Sequence, residues 1–152
     1  MNLNKSFLNY CELNKFEINQ NQLDIIDNLK DYYNYNFNQS LLNKIFKRKD
    51  NRLGFYLFGD VGVGKTMILN FFFNELKEKK LRLHFNEFMI KFHDFVHKNK
   101  KKEEENIINH FVKNLKLKAS LIYFDEFQVT NIVDAMILGK LFDQIFKENI
   151  RI

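Results

Sequence analysis

Gly59-Asp60-Val61-Gly62-Val63-Gly64-Lys65-Thr66 is the stretch that decides how this sequence is read. The short apolar run 54–58 precedes it, and Ile68, Phe72 and Leu76 follow at helical spacing. A glycine-rich loop between an expected strand and an expected helix is the context in which this pattern binds phosphate. Phosphates carry several negative charges, and backbone N–H groups can surround them only where side chains are small. Gly59, Gly62 and Gly64 supply that room, and Asp60, Val61 and Val63 complete the loop. Lys65 is expected to reach the β- and γ-phosphates of ATP, and the Thr66 hydroxyl to ligate Mg²⁺ directly. A helix beginning at Lys65 adds the positive end of its dipole.

A second string, Leu121-Ile122-Tyr123-Phe124-Asp125-Glu126, sets four apolar residues before two carboxylates. That order puts both acids at the C-terminal edge of a buried strand, where open α/β sheets bind ligands. In a Walker B role Asp125 holds the magnesium through water, while Glu126 orients and deprotonates the attacking water. The blander reading is a solvated strand end capping the next helix; the upstream P-loop favours the catalytic one. The expected site is therefore Lys65 and Glu126 for catalysis, the 59–66 loop for the nucleotide, and Thr66 with Asp125 for the metal.

Outward from these motifs, helical spacing of Leu23, Ile26, Leu29 and Tyr33 predicts an amphipathic helix over 19–35, with Asn19 and Gln22 as a capping box. A shorter helix carries Leu41, Leu42, Ile45 and Phe46. Beyond the P-loop helix (65–80), strand 81–85 leads to a helix capped by Asn86 that runs through Phe88, Phe92 and Phe95. A helix with Ile107, Phe111 and Leu115 precedes strand 120–124, and a last helix over 131–146 is expected to bury Ile132, Met136, Phe142 and Ile145. Strands alternating with helices predict an α/β fold with a parallel sheet covered on both faces. The organisation expected is an N-terminal helical segment, 1–50, before a P-loop core, 51–152.

The 45% hydrophobic content is enough to bury one core. A net charge of +5 raises the question of nucleic acid, but the abundance of Lys, Asn, Ile and Phe alongside absent Pro and Trp points to compositional bias, and no aromatic-flanked basic stripe appears. Nucleic acid is therefore not an expected partner. Cys11 is alone, which suits a reducing compartment, and no apolar run approaches the ~20 residues of a membrane span, so a cytoplasmic location is expected. His93 and His97 have a metal-binding spacing, but Asp94 stands where a zincin has glutamate, and a half-exposed helix edge explains them more simply.

Gly54-Phe55-Tyr56-Leu57-Phe58-Gly59, His84-Phe85-Asn86-Glu87-Phe88-Met89 and Phe124-Asp125-Glu126-Phe127-Gln128-Val129-Thr130 resemble the ZapE cell-division ATPases and their mitochondrial relatives. Asn131 stands where that family usually has aspartate, and Asn86 where it has a second histidine. The resemblance, over roughly 10–152, implies an AAA-type P-loop NTPase with ATP and Mg²⁺. It also implies cell-division ring proteins at the inner membrane face as partners, a peripheral position there, and a homo-oligomer. It implies further that a sensor strand, lying between the P-loop strand and the Walker B strand, and an arginine finger follow Ile152. Two expectations stand side by side: a ZapE-like ATPase, and a fragment truncated before the sensor strand that binds nucleotide weakly and does not hydrolyse it.

Overall fold

The computed structural model describes residues 2–38, 52–60, 62–99 and 103–152, apart from the Glu104 side chain. The chain divides into two compact units, Met1–Leu76 and Lys77–Ile152.

In the first unit, α1 (Leu3–Asn14) opens with the Asn2 side chain accepting from Lys5 N and closes at Lys15, left-handed at φ 57°. Leu3, Phe7 and Cys11, four residues apart, form its buried stripe. This helix is absent from the expectations above, because asparagines interrupt its apolar pattern. The expected capping box is present in α2 (Gln20–Phe37): Asn19 Oδ1 accepts from Gln22 N at 3.0 Å, and Gln22 Oε1 accepts from Asn19 N at 3.3 Å. Its inner face is Gln22, Ile26, Leu29 and Tyr32. α3 (Lys65–Glu75) buries Ile68, Phe71 and Phe72 and ends five residues earlier than expected, with Leu76 extended but still buried. Phe71 is the hub of this unit, its ring 5.1 Å from Phe7 and 5.2 Å from Tyr10. Truncating such a buried ring typically costs ~3–5 kcal/mol. The expected helix around Leu41–Phe46 lies outside the described residues.

Residues 54–58 differ from expectation: they belong to no strand. A strand is defined by the N–H and C=O groups it exchanges with a neighbour, and among the described residues only two strands form a ladder. The run is also not fully buried. Its exposure alternates, with Tyr56 and Phe58 at 68% and 78% and Phe55 and Leu57 half-buried. Phe55 packs on Tyr32 of α2, ring centroids 5.9 Å apart.

The second unit holds the sheet, β1 (Lys80–His84) paired in parallel with β2 (Leu121–Asp125), with Arg82 opposite Tyr123 and His84 opposite Asp125. A parallel pair needs a long crossover, here supplied by α4 (Phe85–Lys98) and α5 (Glu104–Lys118). α4 starts directly after β1, so Asn86 lies inside the helix rather than capping it. α6 (Ile132–Lys147) is capped by Asn131, whose side chain accepts from Val133 N at 2.9 Å. Strand alternation divides the sheet: Leu81, Leu83, Ile122 and Phe124 join one core cluster with Phe88, Phe92, Val112, Leu141 and Ile145, while Arg82, His84, Tyr123 and Asp125 share the opposite face. Ile132 and Met136, expected to be buried, are 77% and 76% exposed. α6 buries Ile145, as expected, and turns Leu141 inward beside it. On the β2 edge away from β1, Arg151 forms a single parallel bridge with Leu121.

Candidate functional site

The P-loop residues lie in the first unit, at the entrance to α3. Gly59, Gly62 and Gly64 all have positive φ, at 147°, 85° and 87°. Such angles are strained for side-chain-bearing residues, so the glycine spacing is what lets this loop take its path. Gly64 is the N-cap of α3 and leaves the helix without a side-chain cap, which suits an N-terminus whose N–H groups serve an anion. Lys65, the first helical residue, turns its ammonium back onto the loop, donating to the carbonyl oxygens of Gly59 at 2.8 Å and Asp60 at 2.5 Å. A single cation thus folds the loop around itself. The Thr66 side chain, next along, is exposed. Val61 lies outside the described residues. A cavity of about 310 Å³ opens beside the loop, bordered on this side by Gly59, Asp60, Val63 and Lys65.

The carboxylates lie in the second unit. Asp125 ends β2, and Glu126 is the first residue beyond it, held at φ 52°. Consecutive residues at a strand end would point to opposite faces, and this left-handed turn re-aims the second. The two acids have different surroundings. Asp125 is 15% exposed and ion-paired through Oδ2 with Arg82 of β1, while its Oδ1 accepts from the Tyr123 hydroxyl at 3.4 Å. Arg82 also lies over the Tyr123 ring, 5.2 Å from its centroid. The hydrogen bond to Asp125 raises the Arg82 pKa further, and burial, with the negative charge of Asp125, pushes the Tyr123 phenol up to about 12. Glu126 is 78% exposed, its Oε2 3.8 Å from His84 Nδ1.

The donor chemistry suits the groups a P-loop takes. Lys65 and an open helix N-terminus match phosphate oxygens; the Thr66 hydroxyl and the Asp125 carboxylate are hard oxygen ligands of the type Mg²⁺ prefers. Asp125 keeps acceptor capacity, since a carboxylate offers about four lone-pair sites and two are used here. Among the described residues no group of three His, Cys, Asp or Glu could hold a metal. His93 Nε2 instead pairs with Asp134 Oδ1 at 2.6 Å, tying α4 to α6. No described helix is long and apolar enough to cross a membrane.

Arg82, Tyr123 and His84 were not singled out from the sequence. Their placement beside the carboxylates follows from the β1–β2 register, which no spacing in the sequence encodes. Gln22 and its neighbours, which border the cavity from α2, carried a signal only as a helix cap.

Comparison with known proteins adds a family to this geometry. The chain is 38% identical over 104 residues to lactation elevated protein 1 homolog B of Danio rerio, covering 62% of this chain and 21% of that protein. It is 34% identical over 109 residues to cell division protein ZapE of Escherichia coli K12, covering 68% and 28%. An uncharacterised protein of Schizosaccharomyces pombe is 32% identical over 125 residues, covering 71% and 28%. The matched part thus spans between a fifth and three tenths of these relatives' length. No solved structure matches. The model of the AFG1-like ATPase family matches residues 10–152, and the chain belongs to that family.

Proposed function

We propose that this chain carries the nucleotide-binding part of an ATPase, taking ATP with Mg²⁺ at the 59–66 loop and hydrolysing it through Glu126. The observation that carries this is Lys65: the first residue of α3 bends its ammonium to within 2.8 Å of the Gly59 carbonyl, across a loop whose three glycines all have positive φ. With nucleotide bound, phosphate oxygens replace those carbonyls as partners of Lys65, and the bared N–H groups of α3 add their partial positive charge. Thr66 and Asp125 would hold the metal, Asp125 through water. A bound Mg²⁺ would supply charge neutralisation on the phosphates, and Glu126 orients the attacking water and takes its proton. The family membership and the Escherichia coli relative support the ATPase assignment. A link to cell division, as that relative's name has it, and assembly into a homo-oligomer are the finer parts of the proposal. Equilibrium binding of a fluorescent ATP analogue with Mg²⁺ tests the core of it: saturable binding is expected for the wild type and loss of at least tenfold in affinity for Lys65→Ala. Equal affinity in the two would remove the loop from the assignment.

A further inference from the structure

The two parallel strands have two ends, and the carboxylates Asp125 and Glu126 stand at one of them. At the other end three segments of the second unit come together. The Lys79 carbonyl accepts from Ser120 N at 2.7 Å and from Ser120 Oγ at 3.1 Å, and Arg151 N donates to the Ser120 carbonyl at 2.9 Å. The entry to β1, the end of α5 and the residues after α6 therefore lie side by side. Neighbouring strands are about 4.8 Å apart, so the three segments span roughly 10 Å, which is a Debye length at ~0.1 M salt. Their charges act as one.

Those charges are strongly one-sided. The segment 77–80 carries Lys77, Lys79 and Lys80 with Glu78. The segment 116–121 carries Lys116 and Lys118, and the segment 147–152 carries Lys147 and Arg151 with Glu148. Seven cations against two acids equal the whole chain's net charge of +5, so outside these segments the chain is balanced. Compositional bias explains how many lysines there are, but not why their excess gathers at one end of a sheet. Cations at helix C-termini offset the helix dipole, and Lys116 Nζ does donate to the Asn149 carbonyl at 3.3 Å. That role covers Lys116, Lys118 and Lys147 in the last turns of α5 and α6. It does not cover Lys77 and Lys79, which are exposed and outside any helix.

We propose that this end of the sheet docks on an anionic phospholipid surface, with Leu117 entering the headgroup region among the lysines. Leu117 stands between Lys116 and Lys118 and is 77% exposed. A large apolar side chain held out among cations matches the boundary between headgroups and acyl chains, where apolar burial and attraction to lipid phosphates add. Clusters of about four to eight Lys or Arg beside such a surface are the pattern that anionic lipid attracts. Six of the seven cations are lysines, compact charges on long stems that suit a diffuse surface potential rather than bidentate recognition. No aromatic residue stands in the three segments to stack a base, as a nucleic-acid surface would use. Asp125 and Glu126, at the far end of the strands, keep their access to water in this orientation.

Sedimentation of the chain with vesicles of phosphatidylcholine alone, and of phosphatidylcholine and phosphatidylglycerol in equal parts, tests this, with duplex DNA as a competing polyanion. Binding to the mixed vesicles alone is expected, and it should weaken as salt rises. Lys118→Gln and Lys147→Gln should each reduce the affinity about fivefold, the effect of one lysine near such a surface. Lys5→Gln on α1 removes the same charge elsewhere and should leave binding nearly unchanged. Leu117→Ser, at constant charge, should weaken vesicle binding several-fold through the lost apolar contact. All four side chains are exposed, so the variants should fold. Equal binding to both kinds of vesicle, or none to either, would overturn the proposal. Equal losses in Lys5→Gln and Lys118→Gln would also overturn it, because they mark net charge rather than a patch. So would duplex DNA stripping the chain from vesicles while Leu117→Ser has no effect, because that marks a nucleic-acid surface.

Discussion

Arg82 on β1 is ion-paired with Asp125 at the end of β2, diagonally across the ladder, because the register places Arg82 opposite Tyr123 and His84 opposite Asp125. The carboxylate read from the sequence as a metal ligand is thus held by a neighbouring strand, through a residue whose importance only the register reveals. The two partners are unequally solvated, the arginine 40% exposed and the aspartate 15%. Removing one is therefore not equivalent to removing the other.

Arg82→Ala leaves the Asp125 carboxylate largely buried, hydrogen-bonded by the Tyr123 hydroxyl, a loss of about 1–3 kcal/mol. Asp125→Ala releases a guanidinium that reaches water, and about 1 kcal/mol or less is expected. Urea unfolding followed by circular dichroism compares the two. A larger loss for Asp125→Ala would show that the aspartate is held by something other than this pair.

Tyr123 makes the same cluster visible spectroscopically. Its phenol is raised to about 12 from the usual 10, first by burial and then by Asp125. A raised acid contributes stability that is complete below pH 10 and is lost as the pH climbs from 10 toward 12, where the unfolded chain ionises first. Absorbance at 295 nm should show a late-titrating tyrosine component, and Tyr123→Phe should reduce its amplitude. A wild-type titration with no such component would remove the buried environment argued for Tyr123.

Glycine substitutions separate loop strain from helix propensity. At Gly64, φ is 87° and an added Cβ would meet Gln22 Nε2 at 3.0 Å, so Gly64→Ala should destabilise by about 1–3 kcal/mol, the usual cost of left-handed backbone at a non-glycine residue. Gly139 lies exposed within α6 and its Cβ would meet nothing within 4 Å. Gly139→Ala should therefore stabilise by about 0.5–1 kcal/mol through reduced backbone entropy of the unfolded chain. Thermal melts that move in the same direction for both would contradict this account.

What the sequence disclosed and what it hid follow one division. Local signals were legible: the Asn19–Gln22 capping box, the 3.6-residue stripe of Ile107, Phe111 and Leu115, and the two motifs with their order along the chain. Helix faces without a clean stripe were not. Ile132 and Met136 look like core residues by spacing as Ile145 does, yet α6 buries only Ile145 of the three, with Leu141 beside it, since which turn meets the sheet depends on tertiary packing. The run 54–58 has strand composition, but composition cannot supply the neighbour that makes a ladder. Arg82 belongs to the same class: its partner Asp125 is distant in sequence, and no local pattern announces the pair.

Glu126 is the residue on which the proposed chemistry turns, and its geometry suits a different task from that of Asp125. The preceding aspartate is 15% exposed and held by Arg82 and Tyr123. Glu126 is 78% exposed beyond the strand, turned by a φ of 52°, with His84 Nδ1 3.8 Å from its carboxylate. A base must reach a water molecule within hydrogen-bond distance, and an exposed carboxylate at the strand edge can do so where a buried, ion-paired one cannot. Gln keeps the volume and the backbone strain, but loses the negative charge that accepts a proton. Glu126→Gln should therefore lower ATP turnover by about 10²–10⁴-fold, the range that general-base catalysis contributes, while nucleotide affinity stays within about twofold of wild type. The melting temperature should be unchanged, since the left-handed residue costs the same with either side chain. Because the matched part covers 21% to 28% of the relatives' length, turnover is best measured in a protein of their length that contains these residues. Wild-type turnover in Glu126→Gln would take the base role away from this residue. A parallel loss of nucleotide affinity would show instead that the glutamate serves binding rather than the chemical step.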